Sequence, residues 1–392
     1  MPQTPRILLL KVLLHIIFFL SGIATILIGP ILPILAKHFV LNDLQVSFFF
    51  PSQFAGSLCG TFITSRFARR NKFMTATMIG AAAMALGLLL MNAGSFALCL
   101  LGFFVNGMGV GLTLPSINMM IIEINTERPA PALSILNFCW GLGAILCKPF
   151  VDLFSTQDRI GLTTVILAVP LLAFSVLLRL AVGPSKNAPA KTAEDAETEY
   201  DPIWRMPMAW AIALFNFIHV GFESGMGGWL TTYTGRLEGQ PLAAWLSPTL
   251  LYFLFFVIGR GVAPLLFRYL NETKMVFLGL AIVLAGMALT LSASTVTALS
   301  LGSAIAGFGT SWIFPTNVSR FSRVFGPAAT RRATPLFMCG TLGAASVTWL
   351  IGFLSDRTGD LRYGMFVLGI SIIMLIVLQT GLAFRSVALQ SR

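Results

Sequence analysis

Twelve runs of about 20 predominantly apolar residues follow one another along the 392-residue chain, and no other feature narrows its possible folds so far. They cover residues 8–36, 44–65, 73–93, 95–122, 131–154, 160–182, 207–234, 247–268, 275–294, 296–319, 334–355 and 363–384. A helix of that length crosses the ~30 Å hydrocarbon core of a bilayer. Lipid offers backbone polar groups no partners, so such runs must satisfy them internally as helices. Only 10% of the residues are charged, against roughly a quarter in soluble domains, which leaves too little polar surface for globules of this size. The expected fold is therefore an all-α integral membrane protein with twelve transmembrane helices. Arg6 and Lys11 precede the first run as they would in a secretory leader. That run is too long for a leader and eleven more follow it, so it is read as a retained first helix.

Charge placement orients the chain. With both termini in the cytoplasm, the outer segments hold only Lys37, Arg159, Arg236, Arg357 and Arg362, while most of the 26 Lys and Arg fall inside. This is the positive-inside bias, and the expected location is a bacterial inner (plasma) membrane. The bias also accounts for the net charge of +11 without a nucleic-acid partner. The five cysteines lie in apolar runs without metal-ligand or redox spacing, so they read as reduced packing residues. No metal, cofactor or enzyme chemistry is expected, because the three histidines are scattered and no nucleophile–base set clusters.

The runs divide into two halves. Residues 183–206 form the longest polar stretch, with Glu194, Asp195, Glu197, Glu199 and Asp201, and read as a cytoplasmic linker between six-helix halves at 1–182 and 207–392. The halves share a pattern at a fixed offset. Leu101, Gly102, Gly107, Gly109 and Pro115 recur two hundred residues later as Leu301, Gly302, Gly307, Gly309 and Pro315. Leu136, Cys139, Leu142, Gly143 and Ala144 recur likewise as Leu336, Cys339, Leu342, Gly343 and Ala344. Glycines let membrane helices approach closely. A duplicated helical body suits a secondary transporter with its site at the interface of the repeats, and the chain is expected to act as a monomer.

Ionisable groups inside a membrane cost roughly 3 kcal/mol or more and usually face a cavity. Glu223 lies 16 residues past Pro207, so about 24 Å along its helix, and is the candidate coupling-ion site. His219, four residues earlier on the same face, is either its relay or a hydrogen-bonded structural histidine. Lys148 lies at similar depth in the first half; it either meets the substrate or pairs with Asp152 at i+4. Arg260 is read either as a substrate or gate contact or as a structural partner of helix ends. Gln53, Asn106, Asn137, Trp140, Asn216, Trp229, Trp312 and Asn317 supply the amides and aromatic rings that sugars bind, although each taken singly reads first as a helix-packing residue.

Three segments carry a resemblance to a known family. They are Gly221-Phe-Glu-Ser-Gly-Met-Gly-Gly-Trp229-Leu-Thr-Thr-Tyr233, Ile258-Gly-Arg260 and Leu136-Asn-Phe-Cys-Trp-Gly-Leu-Gly-Ala144. With the twelve-span pattern they resemble the major facilitator superfamily, and within it the fucose-permease and glucose-transporter-like branch. The resemblance implies a cation-coupled sugar carrier working by alternating access, with a proton, or in the alternative sodium, as coupling ion. It also implies an inner gate at Arg66, Arg69 and Arg70, although Ser65 stands where the family's loop carries aspartate, and span one lacks the acid that fucose permease uses. Lys148 and Arg260 against Glu223 leave an excess of positive charge, which would suit an organic anion. A drug-like cargo and a solute-sensing receptor are the remaining alternatives.

Overall fold

The structure is a computed structural model that describes residues 5–68, 70, 72–125, 129–156, 159–182, 203–237, 246–325 and 333–390. Its helices are α1 (Pro5–Ile26), α2 (Ile28–Phe39), α3 (Asp43–Ser47), α4 (Phe49–Ala68), α5 (Phe73–Leu90), α6 (Phe96–Ile124), α7 (Pro129–Phe154), α8 (Gly161–Val182), α9 (Pro207–Thr234), α10 (Pro248–Leu266), α11 (Glu272–Ser292), α12 (Val296–Thr310), α13 (Ile313–Phe325), α14 (Thr334–Thr358) and α15 (Leu361–Gln390). Among the described residues the only strand-type pairing is an isolated bridge between Thr156 and Arg159. The protein is an all-α membrane protein. Residues 183–202 of the expected linker lie outside the described residues.

Three expected spans are each divided in two, at Leu27, Phe48 and Ser311–Trp312. Pro30, Pro51 and Pro315 then occupy the third position of α2, α4 and α13. Proline is tolerated in a first turn because the N–H it lacks would have no helical partner there. The carbonyl four residues before each proline loses its helical donor, and the helix ends close by. Elsewhere the ends follow ordinary capping: Ser95, Ser247, Asn271 and Thr295 accept from the backbone N–H three residues on, satisfying an orphan donor. Gly359, at φ +73°, closes α14 in the left-handed conformation.

Eleven helical stretches among the described residues are long and apolar enough to cross a membrane. The exception among the expected twelve is α9, with 28 residues. It has the length, but Asn216, His219 and Glu223 dilute its apolar character.

Contacts divide the chain into two compact units: Met1–Val40 with Phe48–Glu199, and Leu41–Ser47 with Tyr200–Arg392. Their internal packing repeats. In the first unit, a Cβ at Gly107 would overlap the Gln53 carbonyl oxygen, and one at Gly143 would overlap that of Phe19. In the second, Gly307 lies against the Tyr252 carbonyl and Gly343 against that of Phe217 in the same way. The glycines at the two-hundred-residue offset are thus the points where helix backbones touch. All five cysteines are unpaired; Cys99 and Cys147 are buried, whereas Cys59 is exposed on α4. Within the second unit, α3 packs on α14. Asp43 there accepts hydrogen bonds from both terminal nitrogens of Arg236 and from the Ser355 hydroxyl.

Candidate functional site

In the second unit His219, Glu223 and Arg260 lie where α9, α10 and the α12–α13 break meet. Thr231 and Thr249 hydroxyls lie 2.8 Å apart, and a Cβ at Gly227 would lie 3.0 Å from Phe253. These two pairs set an antiparallel register. It brings Glu223 level with Val257, and His219 with Arg260 and Gly261, one helical turn away.

Each polar group at that level is fixed differently. The His219 side chain is 1% exposed, and its Nε2 lies 3.0 Å from the Thr310 hydroxyl, at the last residue of α12. Its Nδ1 lies 3.9 Å from Glu223 Oε2 and has no hydrogen-bond partner. Glu223 keeps 24% of its side chain accessible, so this carboxylate, unlike the histidine, can exchange with whatever fills the space beside α9. Arg260 stacks its guanidinium 4.2 Å above the Phe256 ring, and its Nε donates to the Ser311 carbonyl over 3.4 Å. That carbonyl is the one Pro315 deprives of a helical donor, so the proline and the arginine belong to one arrangement. Arg260 and Glu223 lie within electrostatic range of each other.

Tyr252 belongs to the same cluster. It is fully buried, its hydroxyl has no hydrogen-bond partner, and its ring stacks near Phe256, the ring that Arg260 covers. Sequence reasoning missed it, since one tyrosine in a uniformly apolar run carries no periodic signal. The internal repeat could have found it: Tyr252 packs against Gly307 as Gln53 packs against Gly107.

The other candidates in this unit are buried between helices. Trp229 Nε1 donates to the Thr348 carbonyl at 2.9 Å, and Trp312 Nε1 donates to that of Met275 at 2.9 Å. Asn216 and Asn317 donate to the Leu336 and Ile212 carbonyls. These bonds tie α9 to α14 and α13, and the α12–α13 break to the start of α11.

In the first unit, Gln53 donates to the Thr25 carbonyl at 3.1 Å and leaves Oε1 unpartnered. Asn106 is fully buried with neither end of its amide hydrogen-bonded. Asn137 is exposed and bonds only the carbonyl one turn back, and the Trp140 indole N–H has no partner. Lys148 forms a salt bridge with Asp152 at i+4, the second of the two readings its position allowed. Arg66 and Arg70 are exposed, and Arg69 lies outside the described residues. Among the described residues no group of three or more His, Cys, Asp or Glu is placed to hold a metal.

Known proteins resemble the chain over almost its whole length. The sequence profile of the Major Facilitator Superfamily matches residues 14–338. The sodium-dependent glucose transporter 1A of Mus musculus is 24% identical over 383 residues, covering 87% of this chain and 88% of that protein. The Homo sapiens sodium-dependent glucose transporter 1 is 22% identical over 395 residues, covering 90% and 74%. A D-xylose–proton symporter structure superposes with a TM-score of 0.74 at 14% identity, covering 94% of this chain and 96% of the other. FucP in its outward conformation gives 0.63 at 18% identity, covering 96% and 99%.

Proposed function

The chain belongs to the Major Facilitator Superfamily, and on that premise we propose that this membrane transporter moves a sugar or similar polar solute by alternating access, coupled to a proton through Glu223. The observation that carries the proposal is a single partly accessible carboxylate, well inside a membrane-length helix, beside His219 and an arginine. With Glu223 ionised, its charge balances that of Arg260. With Glu223 protonated, Arg260 is left uncompensated, and a solute oxygen is the natural acceptor for its free N–H groups. Solute and proton then bind best together, which is the reciprocal coupling a symporter needs. His219, with Nδ1 turned to the carboxylate, is the group that passes the proton on.

The experiment compares two measurements on Glu223→Gln in the same vesicles. Counterflow of labelled solute is expected to persist, because the amide mimics the protonated carboxyl. Accumulation driven by an imposed pH gradient is expected to vanish, because the proton can no longer leave. Retained accumulation removes Glu223 from the coupling role, and lost binding makes it a solute ligand instead. Sodium is the second reading, favoured by the names of the two mammalian relatives. An imposed sodium gradient that drives uptake at constant pH decides for it.

A further inference from the structure

A cavity of about 270 Å³ lies in the first unit, lined by Ile34, Leu35, His38, Met91, Asn92, Arg159, Ile160 and Gly161. It uses none of the residues assigned to transport above. Three helix ends meet there: the second half of α2, the residues just after α5 and the start of α8. The apolar spans end at Leu90 and begin at Gly161, so the cavity sits at the level where a bilayer's hydrocarbon gives way to headgroups.

Its walls divide by chemistry. Ile34, Leu35, Met91 and Ile160 form an apolar floor. His38 and Arg159, both exposed, put nitrogen donors at the rim, and none of the described lining residues is acidic. Asn92 donates from Nδ2 to the Leu88 carbonyl and the Thr164 hydroxyl, which leaves Oδ1 as an acceptor beside Gly161. The adjoining surface of α8 is apolar and open: Leu162 is 59% exposed, Val165 41% and Val169 58%. An occupant therefore meets a cationic rim, one hydrogen-bond acceptor, an apolar floor and an apolar track leading away along a membrane helix. A soluble anion would match the rim alone.

We propose that this cavity binds an anionic, hydroxylated phospholipid headgroup of the phosphatidylglycerol type. The phosphate faces Arg159 and His38, a headgroup hydroxyl donates to Asn92, and an acyl chain follows Leu162 and Val165. A bidentate guanidinium suits phosphate.

The test is native mass spectrometry of the full chain released from detergent with phosphatidylglycerol, phosphatidylcholine or glycerol 3-phosphate as probe. Phosphatidylglycerol is expected to give the persistent adduct, and the double variant Arg159→Gln/His38→Gln to weaken it at least about tenfold, the least that losing a charge-assisted contact costs. Gly161→Leu keeps every charge but fills the space, and is expected to abolish the adduct while solute counterflow continues. Equal retention of phosphatidylcholine, or an adduct unchanged in both variants, overturns the proposal. Glycerol 3-phosphate bound as tightly as the lipid assigns the cavity to a soluble anion and overturns it as well.

Discussion

Arg260 makes two contacts that only a planar cation can make together, a face-on stack over Phe256 and an edge-on donation to the Ser311 carbonyl. Lysine keeps the charge but offers a single point donor that cannot serve both. Arg260→Lys is therefore expected to fold normally, with unchanged monodisperse yield, and to lose at least about tenfold in gradient-driven uptake, the cost of roughly 1.4 kcal/mol in positioning. Uptake at the original rate would reduce Arg260 to a charge. Sequence spacing was informative at this scale where chemistry was rare. Glu223 and His219 stood out because an acid and an imidazole at i and i+4 are conspicuous in apolar surroundings, and they lie 3.9 Å apart. It was uninformative for the tryptophans. Every face of a membrane helix is apolar, so no period separates a ring turned to a cavity from one turned to a neighbouring helix, and Trp229 and Trp312 prove to donate to backbone carbonyls.

At the scale of elements, the glycines at the two-hundred-residue offset carry a clear expectation. A methyl group at Gly107 meets backbone atoms of α4 that have no rotamer with which to yield. Gly107→Ala is expected to cost more than ~2 kcal/mol and lower the apparent Tm by several degrees. At Gly261, inside α10, an added Cβ meets nothing within 4 Å, so Gly261→Ala should be neutral or stabilising by up to ~1 kcal/mol through helix propensity alone. Thermal denaturation in one detergent reads both, and equal shifts would refute the packing argument. Span limits were legible because hydropathy counts residues against a fixed thickness. The breaks at Leu27, Phe48 and Ser311–Trp312 were less so, since a proline bends some helices and ends others. Pro115 illustrates the difference. It stays inside α6, where the Thr64 hydroxyl, shared with the Gly60 carbonyl, lies 3.0 Å from the Gly111 carbonyl that lost its N–H.

For the whole molecule, the bias of basic residues toward one side predicts an orientation. In a cysteine-free background, Tyr269→Cys between α10 and α11 is expected to label with impermeant maleimide only from the cytoplasm, and Thr156→Cys between α7 and α8 only from outside. The reverse pattern would invert the proposed topology. Tyr269 is 86% exposed and Thr156 is exposed too, so failure to label would not come from burial. The two repeated units were legible as a sequence offset, but the joining of Leu41–Ser47 to the second unit was not, because a five-residue helix held by Asp43, Arg236 and Ser355 leaves no trace in hydropathy.

The weak apolarity of α9 also bears on how the chain is made. A ribosome feeding the insertion machinery presents helices in order, and each partitions into lipid according to its own hydrophobicity. The eleven other spans qualify unaided. Helix α9 carries Asn216, His219 and Glu223 without yet having α10, α12 or α14 beside it to receive them. It emerges with its partners still inside the ribosome or untranslated, so its polar groups are met only once they arrive. The residues that equip this helix for transport thus make its insertion the step of biosynthesis that depends most on helices synthesised later.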